Sequence, residues 1–142
     1  MLLEVIILKK IMGIVLFFGI LSLSVFYIFN LMAEPFDSRN AEEITFMPAE
    51  KSGKAIRIKE RQSIDGILDT FNKGKRMKKN KAHERSQPDY HGDIKMSDTH
   101  HVPFTVWLEK DQAVILQNDD DTYFHLNQRD KADLIKKMQK GT

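Results

Sequence analysis

Residues 11–32 read IMGIVLFFGILSLSVFYIFNLM, a run of 22 residues without a charged side chain. As an α-helix with a rise of about 1.5 Å per residue, this run is about 33 Å long. That length matches a hydrocarbon core of about 30 Å, so the sequence predicts a transmembrane helix over residues 11–32. Tyr27 and Phe29, near the carboxyl end, are typical of the aromatic residues found at membrane interfaces.

The charges on either side of the run predict its orientation. Lys9 and Lys10 come directly before it, whereas Glu34 and Asp37 follow it. Because Lys and Arg residues beside a membrane helix favour the cytoplasm, we expect residues 1–10 to be cytoplasmic and the rest of the chain to lie outside. The sequence therefore predicts a single-pass protein of the cell membrane with an extracellular carboxyl-terminal domain.

A cleaved signal peptide is the main alternative for this segment. The run exceeds the usual apolar region of about 7–15 residues, and a cut after Ala33 would place Leu31 where a small residue is needed. A buried core helix would be much shorter than 22 uncharged residues. We therefore expect a membrane anchor that is retained.

The composition excludes several classes of protein. The chain has 142 residues, of which 42% are apolar, so it is neither disordered nor fibrous. It contains no cysteine, which excludes a disulfide framework, a thiol nucleophile, a Cys-ligated zinc and a lipid-modified cysteine anchor. The length allows one domain besides the membrane segment.

The charged residues are unevenly distributed along the chain. Residues 51–86 carry twelve basic and four acidic side chains, a net charge of +8, whereas residues 1–50 and 87–142 each have a net charge of −3. The densest part is KGKRMKKNKAHERSQP at residues 73–88, which has seven Lys or Arg. This segment cannot bury itself, so it predicts an exposed loop or a charged strand edge.

Residues 33–43 are polar and contain Pro35, which predicts a linker, and the folded domain is expected over residues 44–142. Alternation of apolar and polar side chains predicts six strands, at residues 44–47, 55–59, 90–96, 104–108, 113–116 and 123–126. The spacing of Ile64, Ile67, Leu68 and Phe71 predicts a helix that begins near Ser63, and Asn127 is a candidate N-cap for a final helix. The order β-β-α-β-β-β-β-α predicts an α+β domain with a mostly antiparallel sheet and two helices on one face.

This pattern resembles a known family. The strand pair, the short helix and the basic stretch are followed by Pro88-Asp89-Tyr90, a strand with Val106-Trp107-Leu108, the 113–116 strand and an Asp-Thr-Tyr turn into a helix. Over about residues 44–140 the chain resembles the YhfM-like domain of small Gram-positive bacterial proteins. The resemblance implies a membrane- or lipid-anchored protein that faces outward, and it implies no activity. The absence of a cysteine departs from a lipoprotein, so the apolar helix would provide the anchor.

The basic stretch is the strongest candidate binding feature. We expect its side chains to contact an anionic surface close to the membrane, either lipid headgroups or an anionic cell-wall polymer. Nucleic acid is not expected as a partner, because the predicted location is outside the cell. The candidate residues are Lys75, Arg76, Lys78, Lys79 and Lys81. The alternative is a solvated face that aids solubility.

Other candidate sites have weaker patterns. Tyr90 and Trp107 are a candidate ligand platform, although aromatic residues on strands more often belong to the core. His100-His101 with Asp98 is the densest set of metal-ligating types, but adjacent strand residues point to opposite faces. Residues 119–121 are all Asp but lack the spacing of a calcium loop. We expect neither a metal nor a cofactor.

No motif for nucleophilic catalysis or phosphate binding occurs, so the sequence favours a non-enzymatic binding or accessory domain. The second hypothesis is a protein-interaction module, such as an immunity or regulatory subunit of another membrane protein. The two differ in their salt dependence, because contact with an anionic surface weakens steeply as salt rises. The sequence alone does not identify the ligand.

Overall fold

A computed structural model of the chain describes residues 1–32, 34–77 and 86–141. It divides into two compact units, Met1–Glu34 and Pro35–Thr142. The first unit is helix α1, Leu2–Met32, which begins nine residues earlier than residue 11, the predicted start. Within it, Leu2–Ile28 is long and apolar enough to cross a membrane.

The second unit is an α+β domain, which confirms the predicted fold class. In the described part of the chain its strands are β1 (Glu43–Pro48), β2 (Ile56–Ile58), β3 (Lys75–Met77), β4 (Tyr90–Lys95), β5 (His101–Leu108), β6 (Ala113–Gln117) and β7 (Thr122–Leu126). Its helices are α2 (Arg61–Asn72) and α3 (Gln128–Lys140).

The strands form a single sheet in the order β2-β1-β4-β5-β6-β7-β3, and every neighbouring pair is antiparallel. The prediction had six strands and omitted β3, so the predicted element order is wrong at this point. Strand β3 is only three residues long and reads Lys75-Arg76-Met77, which contains no alternation of buried and exposed side chains. It pairs with β7 at one edge of the sheet, and β2 forms the other edge.

Both helices pack on the same face of the sheet, as predicted. The main core joins α2 through its predicted apolar residues and α3 through Leu134 and Met138 to the inward-facing strand residues. In β4, Gly92 makes room for an aromatic ring, because a Cβ there would lie 2.1 Å from Phe104 Cζ. The helix-covered face is therefore built around large aromatic side chains.

Part of the predicted linker belongs to the core. Phe36 and Ala41 are 2% and 3% exposed, and the Phe36 ring lies 5.2 Å from the Phe71 ring and 5.3 Å from the Phe124 ring. The linker prediction for residues 33–43 is therefore wrong for these two residues. A single phenylalanine among polar residues gives no periodicity, although its burial contributes about 2–3 kcal/mol to stability.

The final helix has the predicted N-cap, whereas α2 begins earlier than predicted. Asn127 caps α3, since its side-chain oxygen accepts a hydrogen bond from the backbone N–H of Asp130 at 2.9 Å. Helix α2 begins at Arg61 rather than at Ser63, with Glu60 at the N-cap position. The Ser63 hydroxyl donates instead to the Glu60 carboxylate at 2.7 Å.

Helices α2 and α3 also share a polar contact. The Lys137 ammonium donates to the Gly66 carbonyl at 2.8 Å, to the Thr70 hydroxyl at 2.9 Å and to the Asp133 carboxylate at 2.6 Å. This cluster compensates the burial of Thr70, which is fully buried. The hydrogen bond from Lys137, followed by that from Thr70, lowers the pKa of Asp133.

Replacing Asp133 with Asn should lower the free energy of unfolding near pH 7 by about 0.5–1 kcal/mol, because the contact is partly exposed. A lowered folded-state pKa stabilises the protein above the ordinary Asp pKa and stops doing so as the pH falls through the folded value. The difference between wild type and Asp133→Asn should therefore narrow below about pH 4.

Denaturant unfolding of the full chain in detergent micelles, followed by the fluorescence of the single tryptophan, Trp107, measures this difference. Asp69→Asn is the matched control, since Asp69 is exposed on the same helix pair. A difference in the free energy of unfolding between wild type and Asp133→Asn that stays constant with pH would contradict a stabilising role of the Lys137–Asp133 contact. The same difference in Asp69→Asn would also contradict it.

Candidate functional site

The structure places two of the five predicted basic residues. Lys75 and Arg76 lie on β3, where both are exposed. Lys78, Lys79 and Lys81 lie outside the described residues. The interpretation of this stretch as a charged strand edge therefore holds for its beginning, since β3 is an edge strand of the sheet.

The side chains of β3 alternate between the two faces of the sheet. Arg76 pairs with Phe124 of β7 on the helix-covered face, and its guanidinium carbon lies 6.0 Å from the centre of the Phe124 ring. This distance allows a cation–π contact that holds the arginine against the edge of the core. Lys75 pairs with His125 and lies on the opposite face. The edge thus carries positive charge on both faces.

A glycine makes the tight connection from α2 to β3 possible. A Cβ on Gly74 would lie 2.9 Å from Phe124 Cβ and 3.0 Å from the Phe71 carbonyl oxygen. The backbone N–H of Gly74 donates to that same carbonyl at 3.0 Å. Any larger residue would push β3 away from β7, so Gly74 fixes where the basic strand begins.

A pair of hydrogen bonds, which we call the Asn72 clasp, links the end of α2, just before β3, to the start of the domain. The Phe36 N–H donates to the Asn72 side-chain oxygen at 2.9 Å, and the Asn72 amide donates to the Phe36 carbonyl at 2.8 Å. Phe36 comes four residues after Met32, the last residue of α1, and Asn72 comes three residues before β3. The clasp therefore ties the first core residue after the apolar helix to the segment that begins the basic strand.

The basic middle of the sequence is divided between the two edges of the sheet. A second group of exposed cations lies on and around β2, at the edge opposite β3. Six strand spacings separate the edges, about 29 Å along the sheet. The group consists of Lys51, Lys54, Arg57 and Lys59. Charged side chains on edge strands also oppose edge-to-edge aggregation, and this role accounts for part of the basic composition at both edges.

Tyr90 and Trp107 do not form one platform, so this prediction is wrong. Tyr90 pairs with Val106 on the helix-covered face, and its ring packs edge-on against Phe46 with 6.1 Å between centroids. Trp107 follows Val106 and therefore points to the other face, where it stacks on Tyr123 at 6.4 Å. Both rings serve packing, Tyr90 in the main core and Trp107 in a separate cluster on the outer face.

The histidine and aspartate candidates do not assemble a metal centre in the structure. Among the described residues, no three His, Cys, Asp or Glu side chains lie close enough to hold a metal ion. His101 pairs with Asp93 of the neighbouring strand at 2.6 Å, which places it on the outer face. Residues 119–121 are exposed in the turn between β6 and β7, where Asp121 has a φ of 49°.

A surface cleft of about 810 Å³ adjoins the segment that leads into β1. Asp37 and Arg39 in its wall form an ion pair at 3.0 Å, and the hydrogen bonds from Arg39 lower the pKa of Asp37. Arg61 donates to the carbonyls of Arg39 and Ala41 at 3.3 and 3.2 Å. These groups bind one another and so hold residues 37–41 against α2.

Residues 37–141 match the family model described as YhfM protein. The chain belongs to the YhfM family. A relative from Bacillus subtilis (strain 168), named "Uncharacterized protein YhfM", is 31% identical over 133 residues, which cover 93% of this chain and 96% of the relative. The relative comes from a Gram-positive bacterium, in agreement with the expected source.

A solved structure with a similar fold is that of a thioesterase-like protein from Clostridium sporogenes ATCC 15579. The TM-score is 0.50 at 12% sequence identity, and the match covers 70% of this chain and 94% of that chain. At this identity the similarity shows the fold alone.

Sequence reasoning missed the Asn72 clasp, and its removal gives a direct test. Asn72→Ala removes both hydrogen bonds to Phe36 and leaves two partly buried backbone groups unpaired, at a cost of about 1–3 kcal/mol. We expect faster hydrogen exchange at the Phe36 amide, measured by mass spectrometry on the full chain in micelles. Asn40→Ala, at an exposed position in the same segment, is the control and should leave that amide unchanged. Equal exchange in the two variants would show that the clasp does not hold the segment.

Proposed function

We propose that this protein is a membrane-anchored, non-enzymatic accessory domain that contacts an anionic surface through its basic edge strand. Helix α1 is the anchor, and the domain lies on the outer side of the cytoplasmic membrane. Lipid headgroups or an anionic wall polymer supply the negative charge. The contact residues are Lys75 and Arg76, continued along the sequence by Lys78, Lys79 and Lys81.

The Asn72 clasp is the observation that carries this proposal. Attraction between a cation and an anionic membrane falls off within a Debye length, about 8–10 Å at physiological salt. A basic strand contributes only if the fold keeps it close to that surface. The clasp ties the segment before β3 to Phe36, which is separated from α1 by residues 33–35.

The orientation rests on the residues that flank the anchor. Lys9 and Lys10 lie near the amino end of α1, whereas Glu34 and Asp37 follow its carboxyl end. This distribution favours a cytoplasmic amino terminus. The domain then faces the outer leaflet and the cell wall, where phosphate-rich polymers and anionic headgroups share the same chemistry.

The proposed role is non-enzymatic because of the partners that the histidine rings bind. Nucleophilic catalysis by a serine or threonine uses a base, often a histidine ring, to take the proton of the hydroxyl. His101 binds Asp93, and His125 binds the Gln112 side chain. These pairs link neighbouring strands and turns and so stabilise the sheet.

The test uses the full chain reconstituted into liposomes. Because the chain has no cysteine, Met77→Cys introduces a single labelling site on the basic strand itself. We expect lipids with a nitroxide headgroup to quench the fluorophore more strongly in liposomes with anionic phosphatidylglycerol than in neutral phosphatidylcholine. Lys75→Gln with Arg76→Gln should clearly reduce the difference, because each cation contributes roughly 1 kcal/mol near an anionic surface.

Lys51→Gln with Lys54→Gln is the matched control, since it removes the same charge near the opposite edge and should leave quenching unchanged. Salt at 1 M, where the Debye length is about 3 Å, should also remove the difference. A soluble poly(glycerol phosphate) that displaces the strand from anionic liposomes would identify wall polymer as the preferred source of charge.

Two outcomes would overturn the proposal. Quenching that is equal in neutral and anionic liposomes would show that the strand does not bind an anionic surface. Quenching that both double variants change alike would show a general effect of net charge. In either case, a protein-interaction module with salt-tolerant binding would become the better account.

A further inference from the structure

Helix α1 carries charged residues inside an otherwise apolar sequence. It begins at Leu2, so Glu4, Lys9 and Lys10 lie on the same continuous helix as the apolar run. Large apolar side chains precede the lysines as well as follow them, and those at residues 5–8 are exposed. Lys9 and Lys10 directly precede the predicted membrane segment, so the three charged side chains lie at its cytoplasmic end, where they can reach the interface or a partner helix.

Glu4 lies in the first turn of α1, but no side chain of the same helix offers it a cationic partner. Side chains meet on a helix surface at spacings of three and four residues, and those positions after Glu4 are Ile7 and Leu8. The ion pairs of the described residues include none with Glu4, Lys9 or Lys10. A cationic side-chain partner for Glu4 would therefore come from another helix.

The spacing of five residues between Glu4 and Lys9 identifies a suitable partner. Two parallel helices that pack together follow a seven-residue repeat, lettered a to g, in which positions a and d form the contact seam. Positions e and g flank the seam, and a residue at g meets the residue five places later, at position e, on the neighbouring helix. If Glu4 occupies g, then Lys9 occupies the matching e position and Lys10 points away from the seam. A parallel copy of this same helix then satisfies both charges.

The seam that this register defines contains only apolar or small residues. Its members are Val5, Leu8, Met12, Val15, Gly19, Ser22 and Phe26. The one hydroxyl among them is satisfied within the helix, because Ser22 donates to the Gly19 carbonyl at 2.9 Å. Gly19 has open space around its Cα, which lets a second backbone approach closely. A groove of about 440 Å³ lies along Ser22 and Phe26 and is lined by apolar side chains.

We propose that α1 pairs in parallel with α1 of a second copy of the chain, with two reciprocal ion pairs between Glu4 of one copy and Lys9 of the other. The two-fold symmetry of such a dimer repeats each contact. The exposure of the seam does not distinguish it from the other faces of α1, because the side chains of residues 1–28 are all exposed. The charge register, together with the seam that follows from it, selects this face.

This inference rests on the proposed placement of α1 in a membrane, and the experiment separates the two. Alkaline carbonate extraction of membranes from expressing cells tests the anchor first. Release of the full chain by carbonate would contradict the anchor itself. Retention in the membrane with no dimer would contradict the inference alone.

A charge-swap experiment tests the register. Glu4→Lys and Lys9→Glu, each alone, should weaken dimer formation about tenfold, because each places like charges opposite one another. The combined variant restores opposite charges at the same spacing and should return to the wild-type level. Glu4→Lys with Lys10→Glu is the control, and it should stay as weak as Glu4→Lys alone.

Dimer formation is read from disulfide crosslinking of single cysteines in native membranes. Val15→Cys lies on the seam, whereas Phe17→Cys lies two residues away on the far side of the helix. We expect an oxidant to crosslink the first into a disulfide-linked dimer and to leave the second monomeric, and each charge variant is made in the Val15→Cys background. Equal crosslinking at the two positions would contradict the seam. If the combined variant with Glu4→Lys and Lys9→Glu does not recover wild-type crosslinking, the ion pair between Glu4 and Lys9 is contradicted.

Discussion

Five phenylalanine rings from five separate segments meet beneath the sheet, and the rest of the domain depends on this cluster. Phe104 of β5 lies 5.3 Å from Phe46 of β1 and 5.2 Å from Phe71 of α2, while Phe36 lies 5.2 Å from Phe71 and 5.3 Å from Phe124 of β7. All five rings are almost fully buried, and their edge-to-face and tilted contacts add to the free energy of burial. The cluster connects both halves of the sheet, α2 and the segment after the apolar helix.

This cluster also explains why the basic strand lies where it does. Phe71 of α2 and Phe124 of β7 both lie close to Gly74, so the ring contacts and the Asn72 clasp act on the same few residues. The edge strand that follows is exposed and charged, but its position is set by buried aromatic contacts rather than by its own short sequence. The proposed binding surface is thus carried on a rigid part of the fold, which is how proteins usually position functional side chains.

The sequence predicted the fold class because its apolar periodicities are strong. The face of α2, the alternation in β4 and the Asn127 cap each involve residues close together in the chain. Strand β3 was not predictable in this way, because three residues without apolar alternation form a strand only beside β7. The relation of Tyr90 to Trp107 depends on cross-strand register, and the Asn72 clasp joins residues 36 positions apart, so local patterns reveal neither.

We propose that α1 anchors an outward-facing domain, and protease accessibility in protoplasts of a Gram-positive host tests this placement. An epitope tag placed after Thr142 reports the location of the domain. We expect protease added to intact protoplasts to remove the tag, while a cytoplasmic control protein survives. A tag that is protected until the membrane is broken would overturn the outward placement and put the basic edge strand in the cytoplasm.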